Sequence, residues 1–544
     1  MKRLAPMFIA LFTASLFAEE PRTVRIIASP ETTYFTAHQL PDGRIDYRTH
    51  FNNLHSEGVS PEENVIVALF TWLAGEMEKP LLRAAAEGKE LDAEMAERIH
   101  RYRERFWREL DFEAPPDWKN LQFGFFPFDD PTKNSEMLRE QWEKARTALW
   151  TADDFPDLAE GIKETDEITQ KLLASLQRTR YFHPYFNDGG TFNQEGADSD
   201  LLVFTSLPYV QTLREPARFL QFRGNWDFAK GNIDQAFECA FASVRLGNTI
   251  RSGAGMTVED LVGIAIAGIG RHQLVVYLAN IDGKKDADWI LRKKREYEAL
   301  NRMPDTVPTS NLPNWNIGER LFALDTVQAM ATRRYAMADL FEGIPEVVQT
   351  FSETFESDTE YDWNAILRRC NLFFDDYDES LMIPDYVRRL RALERLDIRV
   401  REYRERYETE RDATRRAGDL ILGELTPAMV AVELARGRAE WLHQCTQVAF
   451  ALAAYRAEHH GEHPDGLEQL VPRHMEAVPN SPFTGGALPY INRADVCFFA
   501  STDKYKFDGS DAEVERVLSE TAPGYMGIIY PEAHSRHFIF VIWK

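Results

Sequence analysis

Apolar residues recur every three or four positions along most of the chain, the spacing that places them on one face of an α-helix. The clearest case is a pair of predicted helices at 208–230 and 233–250, which a Gly-Asn turn joins. Small residues close to this turn, Ala229, Gly231 and Ala236, predict that the two helices approach each other closely. The pattern therefore predicts a helical hairpin in the middle of the chain.

Two later segments predict helices in different surroundings. The segment 261–278 is apolar on almost every side, which predicts a helix inside the protein. The segment 386–416 has interleaved arginines and glutamates and one apolar stripe, so we expect a solvated helix that packs by that stripe. An interaction or coiled-coil surface is the alternative. The stripe consists of Leu393, Leu396, Val400, Tyr403 and Tyr407.

Short extended segments are predicted near both ends of the chain. Residues 32–40 and 44–47 flank a Pro-Asp-Gly sequence, which favours a tight turn and a short hairpin. Near the C-terminus, a helix predicted at 426–460 ends at Gly461, a residue type common just after a helix. Short strands are then predicted at 496–500, 527–530 and 538–543.

These elements predict a mainly α fold, built from packed helical hairpins, with a small α+β module at the C-terminus. The helical body has a predicted break near 115–135, where consecutive prolines interrupt the helical pattern. The predicted divisions are a signal peptide at 1–18, an extended arm or short hairpin at 19–60, the helical body at 61–420 and the α+β module at 421–544.

The first residues are typical of an export signal. Two basic residues precede the apolar run 4–18, and two glutamates end it. Such a run is shorter than the roughly 20 residues of a membrane-spanning helix, so it fits a cleaved signal peptide. We therefore expect cleavage near Ala18 and export to the periplasm or the extracellular space. An uncleaved membrane anchor at the N-terminus is the alternative.

Charge and hydropathy restrict the partners of the exported chain. The sequence has 63 Lys and Arg against 87 Asp and Glu, a formal net charge of −24. This surface repels phosphate backbones and anionic headgroups, so we expect no nucleic-acid partner. The longest apolar run after the signal, 261–270, is too short to span a membrane and predicts a buried helix. An envelope protein or peptide is the expected partner.

The four cysteines are Cys239, Cys370, Cys445 and Cys497. They lie far apart in the sequence, and each has apolar neighbours, which is typical of buried free thiols. Export also permits disulfides, and spacing alone does not decide among the pairings.

A set of spaced residues runs from the end of the predicted helix 426–460 to position 490. The set consists of Ala454, Tyr455, Gly461, Pro464, Leu467, Leu470, Val471, Pro472, Pro479, 481–485 and Tyr490. Their order and spacing resemble the soluble part of type II secretion pseudopilins, in which an aspartate usually stands where this chain has Ser481. The resemblance implies a helix followed by a small sheet, and also a calcium ion, because pseudopilins often carry one.

Three more stretches, 42–47, 58–64 and 207–278, resemble a group of uncharacterised exported bacterial proteins that end in the same module. The helical pair within 207–278 also resembles one tetratricopeptide-type hairpin, although no repeat with a period of about 34 residues follows. The group has no known activity, so the resemblance implies an architecture and leaves the function open.

Two clusters of metal-ligand residue types lie in the C-terminal module. His459, His460 and His463 could hold zinc or copper, since imidazole suits both metals, but the same residues also fit a helix end and turn. Asp503, Asp508 and Asp511 could hold calcium through oxygen ligands, but Asp511 equally fits a helix N-cap. No resident cofactor is expected, with calcium or zinc as the alternatives.

The sequence contains no Gly-x-Ser-x-Gly motif and no cysteine-protease nucleophile motif. The glycines at 263, 268 and 270 lack the Lys-Ser/Thr of a phosphate loop and are expected on a buried helix. We therefore expect a non-enzymatic binding or scaffolding protein of the cell envelope. The alternative is a metal-dependent or carboxylate hydrolase with a cleft in the helical body. A deep pocket lined by acids or histidines with shifted pKa values would favour the hydrolase, and a shallow groove would favour binding.

Overall fold

The computed structural model of the protein describes most of the chain. It covers residues 24–41, 43–70, 93–110, 135–187, 201–202, 205, 207–301, 314–332, 349–351, 354–355, 359–426, 428–483, 485–486, 488, 490–492, 496–501, 526–529 and 538–543. The predicted signal peptide at 1–18 and much of the predicted break at 115–135 lie outside these residues.

Helices dominate the described residues, which confirms the prediction of a mainly α fold. In chain order they are α1 (Tyr47–Ser56), α2 (Ala93–Glu109), α3 (Ser135–Thr147), α4 (Pro156–Gly161), α5 (Asp166–Ser175), α6 (Tyr209–Thr212), α7 (Glu215–Ala229), α8 (Ile233–Gly253), α9 (Thr257–Ala279), α10 (Ala287–Leu300), α11 (Asn314–Thr332), α12 (Trp363–Leu381), α13 (Tyr386–Arg406), α14 (Ala413–Leu425) and α15 (Met429–Glu458). Short 3₁₀ helices lie at Ile162–Thr165 and Leu467–Leu470.

The predicted central hairpin corresponds to α7 and α8, with Gly231 in a left-handed conformation at the turn (φ +84°). A close glycine-mediated approach of two helices lies farther along, between α8 and α9, rather than at the small residues near the turn. A Cβ atom built on Gly247 would stand 2.4 Å from the backbone nitrogen of Ala267 and from the carbonyl oxygen of Gly263. Glycine is needed there because two helix backbones touch directly.

Helix α9 is long and apolar enough to cross a membrane by length and composition, yet 61% of its most apolar window is buried inside the protein. It packs against α8, α7 and α15. The core helix of a globular protein passes the same test of hydropathy, and burial among other helices is what the sequence predicts for 261–278.

The long helix predicted at 386–416 is divided in the structure. Helix α13 ends at Arg406, and α14 begins after Asp412, whose side chain accepts a hydrogen bond from the backbone of Arg415. This N-cap starts a new helix where the apolar pattern alone predicts continuity. Leu393, Leu396 and Val400 of the predicted stripe are buried in one core cluster with α11, α12 and α14.

The last helix, α15, joins two parts of the core. Its first turns pack in the cluster that contains α11 to α14, and its later turns pack with α8, α9 and α10. The boundary predicted at 420/421 falls within α14, whose buried residues share the first of these clusters.

The N-terminal arm, residues 24–46, lies against α11 and α12. Asn364 bonds the backbone of the arm on both sides, accepting from Ile27 N at 2.9 Å and donating to Arg25 O at 3.1 Å. The arm then folds back on itself around Gly43 (φ +91°). These bonds fix the arm to the helical body before α1 begins.

Four strands lie at the C-terminal end, in an antiparallel sheet of order β1-β2-β4-β3. Their bounds are β1 (Tyr490–Asn492), β2 (Val496–Ser501), β3 (Met526–Ile529) and β4 (Phe538–Trp543). Strand β3 also approaches α9.

The thiols of Cys239, Cys370 and Cys445 are buried and free, as their apolar neighbours predict. Burial raises the pKa of Cys370 to about 12, with the charge of Arg369 opposing that rise. Cys497 lies in β2, and its side chain is outside the described part of the molecule.

Candidate functional site

The predicted histidine cluster lies at the end of α15. The ring of His459 stacks on Tyr455 with centroids 3.7 Å apart, and its Nδ1 atom lies 2.8 Å from the Tyr455 carbonyl oxygen. His460 follows in a left-handed conformation (φ +56°) that turns the chain, and the carbonyl oxygen of His463 accepts a hydrogen bond from Asn492. The local geometry is that of a helix end and turn.

The neighbouring Glu458 turns instead toward the loop after the 3₁₀ helix Leu467–Leu470. Its carboxylate accepts hydrogen bonds from Arg473 at 2.6 Å and lies 3.1 Å from His474 Nε2. Burial alone would raise the pKa of Glu458, but these partners hold it below its usual value.

Within the described ranges, no three His, Cys, Asp or Glu side chains come together in a group that could hold a metal ion. Asp503, Asp508 and Asp511 lie outside the described residues, so the calcium site remains a prediction. Zinc or copper at His459, His460 and His463 also remains a prediction.

A shallow, open depression of about 590 Å³ lies where the start of α5 meets the turn between α7 and α8. Its lining is polar and consists of Asp166, Thr169, Gln170, Arg223, Asp227, Gly231, Asn232, Ile233, Asp234 and Gln235. Predicted helical patterns place these residues on three helices, but periodicity does not show that the three helices meet here.

Arg223 lies at the base of this depression. Its Nε atom donates to Asp227 at 2.9 Å, and its Nη1 atom donates to Asp166 and to Thr165 Oγ1. Burial lowers the pKa of Arg223, but the hydrogen bonds and charges of Asp227 and Asp166 outweigh it and raise the pKa above the ordinary value. The guanidinium group is therefore held in a fixed position.

Asp234 also lines the depression, and it accepts a hydrogen bond from Lys285 at 2.8 Å and another from Trp289 Nε1 at 3.1 Å. The hydrogen bond from Lys285 lowers the pKa of Asp234 despite partial burial. The side chains of Asp166 and Asp234 remain 63% and 65% exposed, so both carboxylates can still contact a ligand.

A second polar cluster lies where the N-terminal arm covers α11 and α12. The Nη2 atom of Arg320 donates to Asp378 at 2.7 Å and forms an ion pair with Asp375 at 2.9 Å, and Asn316 also donates to Asp378. Burial raises the pKa of Asp378 to about 6, against the opposing charge of Arg320. Both carboxylate oxygens of Asp378 therefore have donors within the protein.

The arm contributes Tyr34 to this cluster. Its ring lies 4.2 Å from the guanidinium carbon of Arg320, a cation–π contact. Tyr34 is in a left-handed conformation (φ +62°), which is unfavourable for a bulky residue and is retained only where surrounding contacts enforce it. Sequence reasoning missed this cluster because the i,i+3 pair of acids on α12 is one of many such pairs in an acidic chain.

A comparison with known proteins found no match: no family model, no curated protein and no solved structure matches this chain.

Proposed function

We propose that the protein is an exported, non-enzymatic binding or scaffolding protein of the cell envelope. The depression at Arg223 is the observation that carries this proposal. It is open and shallow, and the charged residues that line it already have ionic partners inside the protein. Such a surface recognises a ligand by hydrogen bonds and charge, whereas an active site needs groups that converge on a reacting atom.

The partner that fits this surface is a basic peptide segment of another envelope protein. The exposed carboxylates of Asp166 and Asp234 both line the depression, as does Gln170. The net charge of −24 attracts a basic partner from a distance and repels nucleic acid.

Export is proposed from the apolar run at 4–18, with a periplasmic or extracellular location. The region 421–544 is proposed to be a pseudopilin-like module. The order of the elements supports this second proposal, since the long helix α15 is followed by a turn at Gly461, a 3₁₀ helix and an antiparallel sheet.

Site-directed photocrosslinking in the envelope of the source cell tests the binding proposal. A crosslinking residue at Gln170, which is exposed, is expected to give one defined protein adduct. The same residue at Leu372, which is 66% exposed on α12 and remote in sequence from the depression, is the control. The adduct should weaken in D166N/D234N, because these two carboxylates attract the basic segment. Equal adducts at both positions, or one unaffected by D166N/D234N, would contradict the proposal.

A carboxylate hydrolase is the second candidate, and the raised pKa of Asp378 beside Asp375 favours it. A pair of carboxyl groups with different environments can divide the roles of acid and base. The test is hydrolysis of a panel of ester, glycoside and phosphoester substrates by the purified chain and by D378N. Activity that D378N abolishes would support the hydrolase hypothesis, and a lack of activity on the whole panel would contradict it.

A further inference from the structure

Two histidines of the N-terminal region face each other across the start of α1. The Nδ1 atoms of His38 and His50 are 3.3 Å apart. His38 is exposed and His50 is half-buried, so the pair is open to solvent on one side.

Backbone hydrogen bonds set this distance. The amide of Asp46 donates to the carbonyl of His38 at 2.9 Å, and the amide of His50 donates to the carbonyl of Asp46 at 3.1 Å. The Asp46 side chain caps α1 by accepting from Thr49 N at 2.9 Å. The turn of the arm and the first turn of α1 therefore bring the two histidines together.

Each ring is also held by a neighbour. The ring of Phe35 packs on His50 with centroids 3.9 Å apart. The side-chain amide nitrogen of Asn53, Nδ2, lies 3.3 Å from Nε2 of His38, on the side of the ring away from His50. His38 itself is in a left-handed conformation (φ +58°), a conformation in which histidine is more frequent than most residues.

The separation of the two nitrogens is that of a long hydrogen bond, and it is also that of two ligands of one metal ion. Two imidazole nitrogens bound tetrahedrally to zinc, at about 2.0 to 2.1 Å each, stand about 3.3 to 3.4 Å apart. Hydrogen bonds from N–H groups are usually shorter, with donor and acceptor about 2.9 to 3.0 Å apart.

We propose that His38 and His50 form a surface site for a divalent transition metal that prefers imidazole ligands, such as Zn²⁺ or Cu²⁺. Both residues bind through Nδ1, and water fills the remaining positions on the exposed side. Asn53 acts from behind as a positioning residue: when its amide turns to present Oδ1 in place of Nδ2, that oxygen accepts the Nε2–H group of His38 and leaves the Nδ1 lone pair for the metal.

Titration of the full chain with Zn²⁺ alone, followed by isothermal calorimetry, tests the site. The variant H38N/H50Q removes both ligands, while Asn tolerates the left-handed conformation and Gln suits a helix. We expect it to bind one equivalent of zinc fewer than the natural chain, with an unchanged circular dichroism spectrum. Equal stoichiometry and affinity in the two proteins would overturn the proposal.

The matched control is H459N/H460N, which removes two histidines at another turn where one of them is also left-handed. It should leave the zinc equivalent at His38 and His50 in place. Two changes at Asn53 sharpen the test: N53A should weaken zinc binding about tenfold or more, and N53D should strengthen it through a carboxylate partner for His38. Electron paramagnetic resonance of bound Cu²⁺ should show coupling to two imidazole nitrogens, and a spectrum identical to that of H38N/H50Q would contradict the site.

Discussion

Two polar regions of the molecule differ in where their polar groups find partners. At the start of α9, the buried carboxylate of Glu259 accepts hydrogen bonds from the hydroxyls of Tyr181, Tyr185 and Tyr209. It also accepts from the backbone amides of Gly255 and Met256, at 3.1 and 3.0 Å. All these donors come from the protein itself.

The N-terminal arm instead holds strained and partly exposed groups. Tyr34 and His38 are both left-handed, and the carboxylates that Arg320 holds reach the surface at Asp375, which is 56% exposed. The polar groups of the Glu259 cluster are buried, so they must form their hydrogen bonds within the protein, because an unpaired buried group destabilises the fold. His38 and Asp375 are exposed and are not under that constraint, so they can contact a ligand. The comparison predicts that the first region stabilises the fold and that the second is the better candidate for binding a ligand.

The largest effect is expected from E259A. Removing this carboxylate leaves three buried tyrosine hydroxyls and two backbone amides without their acceptor, which should lower the free energy of unfolding by about 3 to 5 kcal/mol. Urea denaturation measures the loss. E140A, at an exposed carboxylate that pairs with Lys144, should cause no measurable change. Similar results for the two variants would mean that the Glu259 cluster does not stabilise the fold.

A smaller effect is expected from G247A. The new methyl group meets the backbone of α9 at 2.4 Å, and overpacking of this kind costs about 1 to 3 kcal/mol. The control is G268A on α9, where nothing lies within 4 Å of the added Cβ. That variant should gain up to about 1 kcal/mol, because alanine favours a helix over glycine. Thermal unfolding distinguishes them, and equal shifts would contradict the close helix contact.

The smallest expected effect is on the pH dependence of stability. It should change in opposite directions when a titratable residue of the first region and one of the second are replaced. His183 belongs to the first region, since its ring stacks on Tyr209 with centroids 3.6 Å apart. Burial lowers the pKa of His183 to about 3, so its contribution to stability is present above its unfolded pKa of about 6.5 and is lost as the pH falls below that value. Asp378, with its pKa raised to about 6, contributes stability that is present below its unfolded pKa of about 3.9 and is lost as the pH rises through 6.

We therefore expect H183N and D378N to change the pH slope of stability in opposite directions. Between pH 4 and 6.5 the slope should fall in H183N, by at most about 1.4 kcal/mol per pH unit for one proton. Over the same range the slope should rise in D378N. Urea denaturation at several pH values measures both, and slopes that move in the same direction would refute the assignment.

Local sequence patterns predict much of the helical architecture. The turn at Gly231, the end of α15 near Gly461 and the burial of α9 follow from residue types within a few positions. The division between α13 and α14 was missed, because a continuous apolar stripe outweighed the capping signal of Asp412. Candidate sites were harder to predict, since ligand-like spacing at 459–463 is also the spacing of a helix end.

Local patterns were enough to predict the central hairpin, the buried helix α9 and the turn of the arm, because caps, glycines and apolar periodicity act over a few residues. Which polar groups meet depends on the packing of the whole chain. Glu259 lies 74 and 78 residues from two of its tyrosine partners, and Arg320 lies 58 residues from Asp378. Such pairs depend on how whole helices pack, and packing is a property of surfaces that no local pattern specifies.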